Sequence, residues 1–371
     1  MVMEEPWIRT VQRLFYPIMC VFGMPASLVT MAVLWKGNLG MSKSIIYYLV
    51  SLALANFLLN LVVTVFRDIF YFYVDIKLWW PEPSCGISNW IYFSCVYSLT
   101  WLTVAFSVDR YIIICCMKLK LRFCKPSVTR WVITAVCACA FLVAMPTFWM
   151  YVPVRTTQPD GSLYHICSLN RNLSSIPFLS VYDHIQTTVW IVFPLVLLVL
   201  TNGLTVWHIH VTTRVRQSLK WSSTGKQSED PEVARRKKSV TLLAIISISF
   251  LAHWLPKMVV KVLERFTYPP VNRYDFYRPV NVVRMLCNML IVSSSFSNMC
   301  IYSLTISKFR QELFRGAMSA LTFLCHNPRS PYPPTTKPTQ IFTIQDTTQL
   351  TWKTSNRGRY LIYHLMWEEG C

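Results

Sequence analysis

Asp109-Arg110-Tyr111 sets an acid beside an arginine at one end of a long apolar stretch that opens near Cys85. Charge at the edge of a membrane span is costly, so such a pair marks function before packing. The guanidinium is a fixed fork of donors that keeps its charge, so it can hold Asp109 in one conformation and be released in another. That is switch chemistry; the bland alternative is a static interfacial anchor. Two lysines offer a second chemistry. Lys257 follows Pro256 directly and Lys261 lies one turn further along, so both share a helix face. A lysine inside a bundle costs roughly 2.5 to 3.5 kcal/mol on insertion scales, which an anion, a polar network or water must offset. Carboxylate binding and snorkelling fit Lys257 equally; Lys261 is expected to snorkel first and to bind second. Asn288 supplies an amide facing them, and Tyr92, Phe93, Tyr97 and Trp190 supply aromatic walls, although such stripes more often pack than bind. Asp68, Asp183 and Glu264 are carboxylates an ammonium could meet, and none stands out.

Pro256 removes a backbone hydrogen bond and bends its helix. Trp254 beside it is a bulky lever, with Phe250 one turn earlier on the same face. His253 is expected to be a hydrogen-bonded core residue rather than a proton sensor.

These residues need spans to position them. The chain has 371 residues, 53% hydrophobic and 14% charged, with mean hydropathy +0.37. That is too little charged surface for a soluble globule of this size. Spans of roughly 20 or more mainly apolar residues are predicted at Val11–Trp35, Ser44–Tyr73, Ser84–Cys116, Val128–Tyr151, Asp183–Val211, Lys238–Leu263 and Val280–Ile306, seven in all. No signal peptide is expected, because Met1–Thr10 carries Glu4 and Glu5 and has no separate apolar region with a cleavage site.

The formal charge of +19 would suggest nucleic acid as partner for a soluble protein. Here Lys36 and Lys43, then Lys118 to Arg130, then Arg214 to Lys238 sit in alternate loops, which the positive-inside rule makes cytoplasmic. The N-terminus is then extracellular and no nucleic-acid partner is expected. Of the 13 cysteines, most lie in spans or cytoplasmic loops. Cys85 and Cys167 face the oxidising side and can bridge, two free thiols being the alternative. In the same outer loop Asn172-Leu173-Ser174 is an N-glycosylation sequon. Ser307–Leu324 alternates basic and apolar faces as an amphipathic helix on the inner leaflet, and Cys325 after it is a palmitoylation candidate. From His326 onward, Pro, Thr, Ser and Gln predict a disordered tail. Arg359–Cys371 within it is more apolar than a tail needs.

The expected organisation is therefore an all-α membrane protein. It has a short outer N-terminus (1–10), a seven-helix bundle (11–306), an amphipathic eighth helix (307–325) and a cytoplasmic tail (326–371). No cofactor or metal is expected. A transporter would show repeats or a run of acids through the core, and an intramembrane enzyme a cluster of His and carboxylates or a nucleophile with its base; the sequence shows neither.

Taken together, Cys85 about 25 residues before Arg110, Trp131, Pro194, Trp254-Leu255-Pro256 and the seven spans resemble the rhodopsin-class G-protein-coupled receptors. The resemblance implies a plasma-membrane receptor in which Trp254 couples ligand to movement of the sixth helix. Asp109, Arg110, Tyr111, Asn298 and Tyr302 would form the G-protein switch. Arrestin, receptor kinases and membrane lipid would be further partners. Tyr92 stands where amine receptors carry aspartate and Val292 where opsins carry the retinal lysine, so neither ligand class is implied. The narrower likeness is to the orphan receptors responding to L-tryptophan and L-phenylalanine. Its carriers are Lys257, Asn288-Met289-Leu290, Asn272-Arg273-Tyr274 and a seventh span without proline. It implies a small aromatic carboxylate ligand held by Lys257 and Asn288, with coupling to a Gq-type protein; a receptor for a peptide or other ligand is the alternative.

Departures are as informative. Asn56 stands where the family carries an aspartate, which puts sodium sensitivity in doubt, and Ser27 where the first span has asparagine. Met299 replaces the proline between Asn298 and Tyr302, and Arg236 replaces an acid that pairs with the third-span arginine in some relatives. The last change predicts a weak inactive-state lock.

Overall fold

A computed structural model describes residues 6–37, 39–69, 73, 82–116, 125–157, 163–169, 181–182, 185–221, 231–266 and 277–325. The helices are α1 (Trp7–Lys36), α2 (Lys43–Asn60) continued by π-helical turns over Leu61–Ile69, α3 (Glu82–Cys115) and α4 (Pro126–Ala144). After a single turn at Thr147–Met150 come β1 (Tyr151–Thr157) and β2 (Leu163–Leu169). Then π-helical turns over Thr188–Val192 lead into α5 (Phe193–Trp221), followed by α6 (Pro231–Phe266), α7 (Pro279–Thr305) and α8 (Ser307–Cys325). Seven of the helices are long and apolar enough to cross a membrane.

Among the described residues, the strands depart from an all-helical expectation. They pair antiparallel, Tyr151 opposite Leu169 and Thr157 opposite Leu163. The predicted fourth span ran on to Tyr151, and the stretch long and apolar enough to cross a membrane is Pro126–Met150, within which α4 gives way to turns after Ala144. Pro146 has no N–H to continue the ladder, so the regular helix gives way to turns there, although Met145 and Pro146 both keep right-handed helical angles. Pro17 and Pro25 are instead absorbed within α1, as membrane helices permit when neighbours satisfy the freed groups.

The surface is inverted relative to a soluble protein. Trp131, Leu142 and Leu304 are 75%, 69% and 78% exposed, while Asn56, Asn60, Ser98, Ser295 and Thr103 are buried. In hydrocarbon, apolar side chains gain nothing by hiding, so helices associate through small and polar residues. Gly23 of α1 shows how close the approach is: a Cβ there would stand 3.1 Å from Ser295 Oγ on α7. At Gly86 of α3 a Cβ would stand 2.5 Å from the Phe148 carbonyl oxygen, so the turn after α4 seats only on glycine.

The third helix is the axis of the bundle. It packs against α2, α4, α5 and α6, while α1 packs on α2 and α7, and α6 packs on α7. The apolar core forms two layers. One gathers Tyr16, Leu59, Tyr97, Leu99, Trp254, Met258 and Val292 toward the Cys85 end. The other gathers Leu34, Tyr48, Leu49, Phe106, Ile246, Tyr302 and Phe309 toward the Arg110 end. Phe309 of α8 is fully buried in the second layer, with Phe314 and Met318 exposed along the same helix.

Candidate functional site

At the Cys85 end, covalent and aromatic contacts converge on α3. Cys85, the fourth residue of α3, is bonded to Cys167 on β2, with Cα atoms 5.6 Å apart and 82 positions apart in sequence. Asn89 Nδ2 donates to the Cys85 carbonyl at 3.0 Å and lies 3.0 Å from Cys167 Sγ. This tie carries the hairpin over α3, so that Tyr151 of β1 sits 5.9 Å from the Phe93 ring. Phe93 also meets Tyr92 edge-on at 5.1 Å and Tyr97 at 6.0 Å, and Tyr97 meets Trp190 at 5.2 Å. Behind the wall, Gln186 Nε2 donates to Tyr97 Oη, with both residues buried.

The Lys261 ammonium lies 6.0 Å from the Phe93 ring centroid. A lysine expected to snorkel toward the outer interface first thus has its ammonium near the face of a ring on α3, whose negative charge attracts a cation. Lys257 and Asn288 are half-buried on α6 and α7, neighbours in the bundle. Of the six proposed ligand residues, the structure brings Tyr92, Phe93 and Lys261 into one cluster. Trp254 lies deeper, 2% exposed and stacked on Phe250 at 5.5 Å and 17°, on the face where the sequence put both.

Below Trp254 is a small cavity bordered by Asn56, Ser249, His253, Ser294, Asn298 and Tyr302, with Leu99 and Phe250 on its apolar side. It leaves about 20 Å³ for the centre of a water molecule, above the roughly 10–15 Å³ that one water needs. The Asn56 amide is committed at both ends. Its Nδ2 donates to the Leu52 carbonyl at 3.0 Å, and its oxygen accepts from Ser294 Oγ at 3.0 Å, joining α2 to α7. Asn60 Nδ2 donates to Ser295 Oγ, a second link between α2 and α7. His253 is hydrogen-bonded, with Nδ1 2.6 Å from the Ser249 carbonyl oxygen and Nε2 3.1 Å from Ser297 Oγ on α7.

At the other end of α3, Arg110 Nε donates to Asp109 Oδ2 at 3.1 Å and its Nη2 donates to the same oxygen. Both residues are buried, with the guanidinium carbon 5.7 Å from the Phe106 ring. Tyr111 is half-buried beside them. Tyr302, 1% exposed, meets Phe309 edge-on at 5.9 Å. With Met299 in place of a proline, α7 runs without a break to Thr305.

Asn172, Asp183, Asn272–Tyr274 and the segment from His326 lie outside the described residues, as do the side chains of Asp68, Arg236, Glu264 and Cys325. Two contributors escaped sequence reasoning. Tyr151 comes from a strand placed by a disulfide, which no local pattern announces. Gln186 stands among polar neighbours, Asp183, His184, Thr187 and Thr188, so nothing local marked it out.

Comparison with known proteins agrees with this architecture. Residues 26–302 match the family described as 7 transmembrane receptor (rhodopsin family). The neurotensin receptor type 2 of Homo sapiens is 24% identical over 385 residues, covering 92% of this chain and 90% of that receptor. The neurotensin receptor type 1 of Mus musculus is 25% identical over 314 residues, 78% of this chain and 70% of that one. The sex peptide receptor-related protein 2 of Caenorhabditis elegans is 25% identical over 325 residues, 80% of this chain and 69% of its own. These relatives are named for peptides, whereas the narrower resemblance in the sequence was to receptors for aromatic amino acids. With its seven spans and its matched segment in hand, the chain belongs to the rhodopsin family of G-protein-coupled receptors, and it is a receptor rather than an enzyme.

Proposed function

We propose that this receptor lies in the plasma membrane with its disulfide end outside, and that it takes a peptide whose carboxylate reaches the Lys257–Lys261 face of α6. The observation that carries the ligand class is the Lys261 ammonium over the Phe93 ring beside an aromatic wall. A cation held against rings suits an anionic group flanked by apolar or aromatic side chains. Peptide rather than free amino acid is favoured by the relatives named for neurotensin and sex peptide. The orientation is supported by the disulfide, which persists in oxidising compartments, and by basic residues such as Lys43, Arg130 and Arg214 toward the Arg110 end. Binding would shift a pre-existing equilibrium of α6 about Pro256 and release Arg110 toward a G protein of the Gq type. A free aromatic amino acid meeting Lys257 and Asn288 is the narrower reading, favoured by the half-burial of both residues on adjoining helices.

The test is calcium and cyclic AMP recorded in cells expressing the chain, challenged with free-acid peptides including neurotensin, their C-terminal amides, tryptophan and phenylalanine. A calcium response to a free-acid peptide that amidation or Lys261→Ala weakens about tenfold is the expected result. A response to tryptophan or phenylalanine abolished by Lys257→Ala would select the narrower reading. A response indifferent to both lysines would overturn the carboxylate assignment, and flat records with normal surface expression would overturn both ligand classes.

A further inference from the structure

We propose that His253 and Ser297 form a latch that holds the Arg110 end of α6 against α7 and opens when α6 bends, which makes His253 a positioning residue for signal transfer. A carbonyl oxygen only accepts, so the 2.6 Å approach of His253 Nδ1 to the Ser249 carbonyl puts the ring hydrogen on Nδ1. In the neutral ring that leaves Nε2 as an acceptor, and Ser297 Oγ on α7 lies 3.1 Å from it. The latch is therefore one hydrogen bond between two helices, donated by Ser297 and aimed by the ring's bond to its own helix.

Its position suits it to report on the bend. His253 precedes Pro256 by three residues, on the arm of α6 that leads toward the Arg110 end. Pro256 cannot donate to the Ala252 carbonyl, so the turn that bends is the one that contains His253. A change of bend in that turn re-aims the ring relative to α7, and a bond of 3.1 Å is lost beyond about 3.5 Å. The neighbouring residue is Trp254, stacked on Phe250, so the same movement that disturbs the tryptophan pulls on the latch.

The two states are also closely balanced. Ser297 Oγ lies 3.1 Å from the Ser293 carbonyl oxygen one turn back, so its single hydrogen has a second acceptor ready when the latch opens. Only His253 Nε2 is then left without its partner, and it borders a cavity with room for a water. A bond so easily exchanged biases an equilibrium without freezing it. Its loss is worth about two- to tenfold in a population ratio, the net scale of one hydrogen bond.

The experiment measures ligand-free G-protein activation, read as calcium and cyclic AMP at matched surface expression, for the wild type, Ser297→Ala, His253→Phe, the double variant and His253→Gln. Ser297→Ala and His253→Phe are each expected to raise basal activity about two- to tenfold. The double variant should rise no further than the larger single, because both remove one bond. His253→Gln, whose amide reaches the position of Nε2, should return basal activity to near the wild-type level, which a merely structural role for ring volume would not do. Unchanged basal activity in Ser297→Ala, multiplied effects in the double variant, or failure of the glutamine to rescue would each overturn the latch. Ser297→Ala is the safeguard against misfolding, since it removes a single oxygen.

Discussion

The two ends of the bundle are built differently. At the Cys85 end, parts distant in sequence are fixed to one another by the bond from Cys85 to Cys167 and by rings from α3, β1 and the turns before α5. At the Arg110 end the ion pair joins neighbours on one helix, Asp109 and Arg110, so it ties α3 to nothing else. What closes that end is packing, with Tyr302 against Phe309 and Tyr48 against Phe106 at 5.6 Å. Rigid rings and a covalent tie preorganise a surface for binding, which reduces the entropy that binding must overcome. Among the described residues the contacts of Arg110 are to Asp109 and Phe106 on its own helix, so it can change partners without another helix having to let go. The contrast is between an end made to stay and an end made to exchange.

The strongest way to break that contrast is Cys167→Ser. Losing a native disulfide typically costs about 2–5 kcal/mol, and here it would also free β1 and withdraw Tyr151 from Phe93. Surface expression and any ligand response are expected to collapse together. If thermal unfolding of the purified variant in nanodiscs shows no loss of stability, the Cys85 end is not the fixed one.

A middle-sized effect is expected where the two ends meet. Ser294→Ala removes the donor to the Asn56 oxygen and leaves a buried acceptor unpaired, at a cost of about 1–3 kcal/mol. A melting temperature lowered by several degrees is the expected readout; an unchanged one would show that water replaces the hydroxyl. Lys261→Met should come next. It keeps the bulk against Phe93 but removes the charge, worth about 0.5–2 kcal/mol for a cation over a ring. The expected result is roughly a tenfold or smaller loss of potency for an acidic ligand with basal activity unchanged. A shift in basal activity instead would move Lys261 from recognition to transmission.

How much of this was legible in the sequence follows the same divide. Spans and ion pair are local, written in hydropathy and adjacent residues, and the observed helices carry them, with Asp109 bonded to Arg110 and Trp254 stacked on Phe250 one turn away. Cys85 and Cys167 were legible as a possible pair because topology put them in one compartment. The approach of Lys261 to Phe93 was not, because it depends on what stands across the bundle, and Phe93 lies on another helix. The same holds for Tyr151, delivered by a hairpin, and for Ser297, one of several serines in α7 whose role depends on His253 across the interface. Contacts between elements far apart in sequence leave no periodicity to read.

The smallest expected effect is a null, and it bears on the cavity between the two ends. A sodium ion there would need an anionic ligand to offset its desolvation. Among the described residues no carboxylate borders the cavity, and the Asn56 amide that stands where the family carries an aspartate already serves Leu52 and Ser294. The room left suits about one water. Replacing sodium chloride with N-methylglucamine chloride at equal ionic strength should therefore shift the melting temperature of the wild-type receptor by less than about 1 °C, since a ligand stabilises only in proportion to its binding. Asn56→Asp restores a negative charge that Ser294 still reaches, and should make the melting temperature rise with sodium. Sodium stabilisation of the wild type would mean that neutral oxygens alone suffice for the ion, and that the cavity between the two ends is a binding site rather than a place for water.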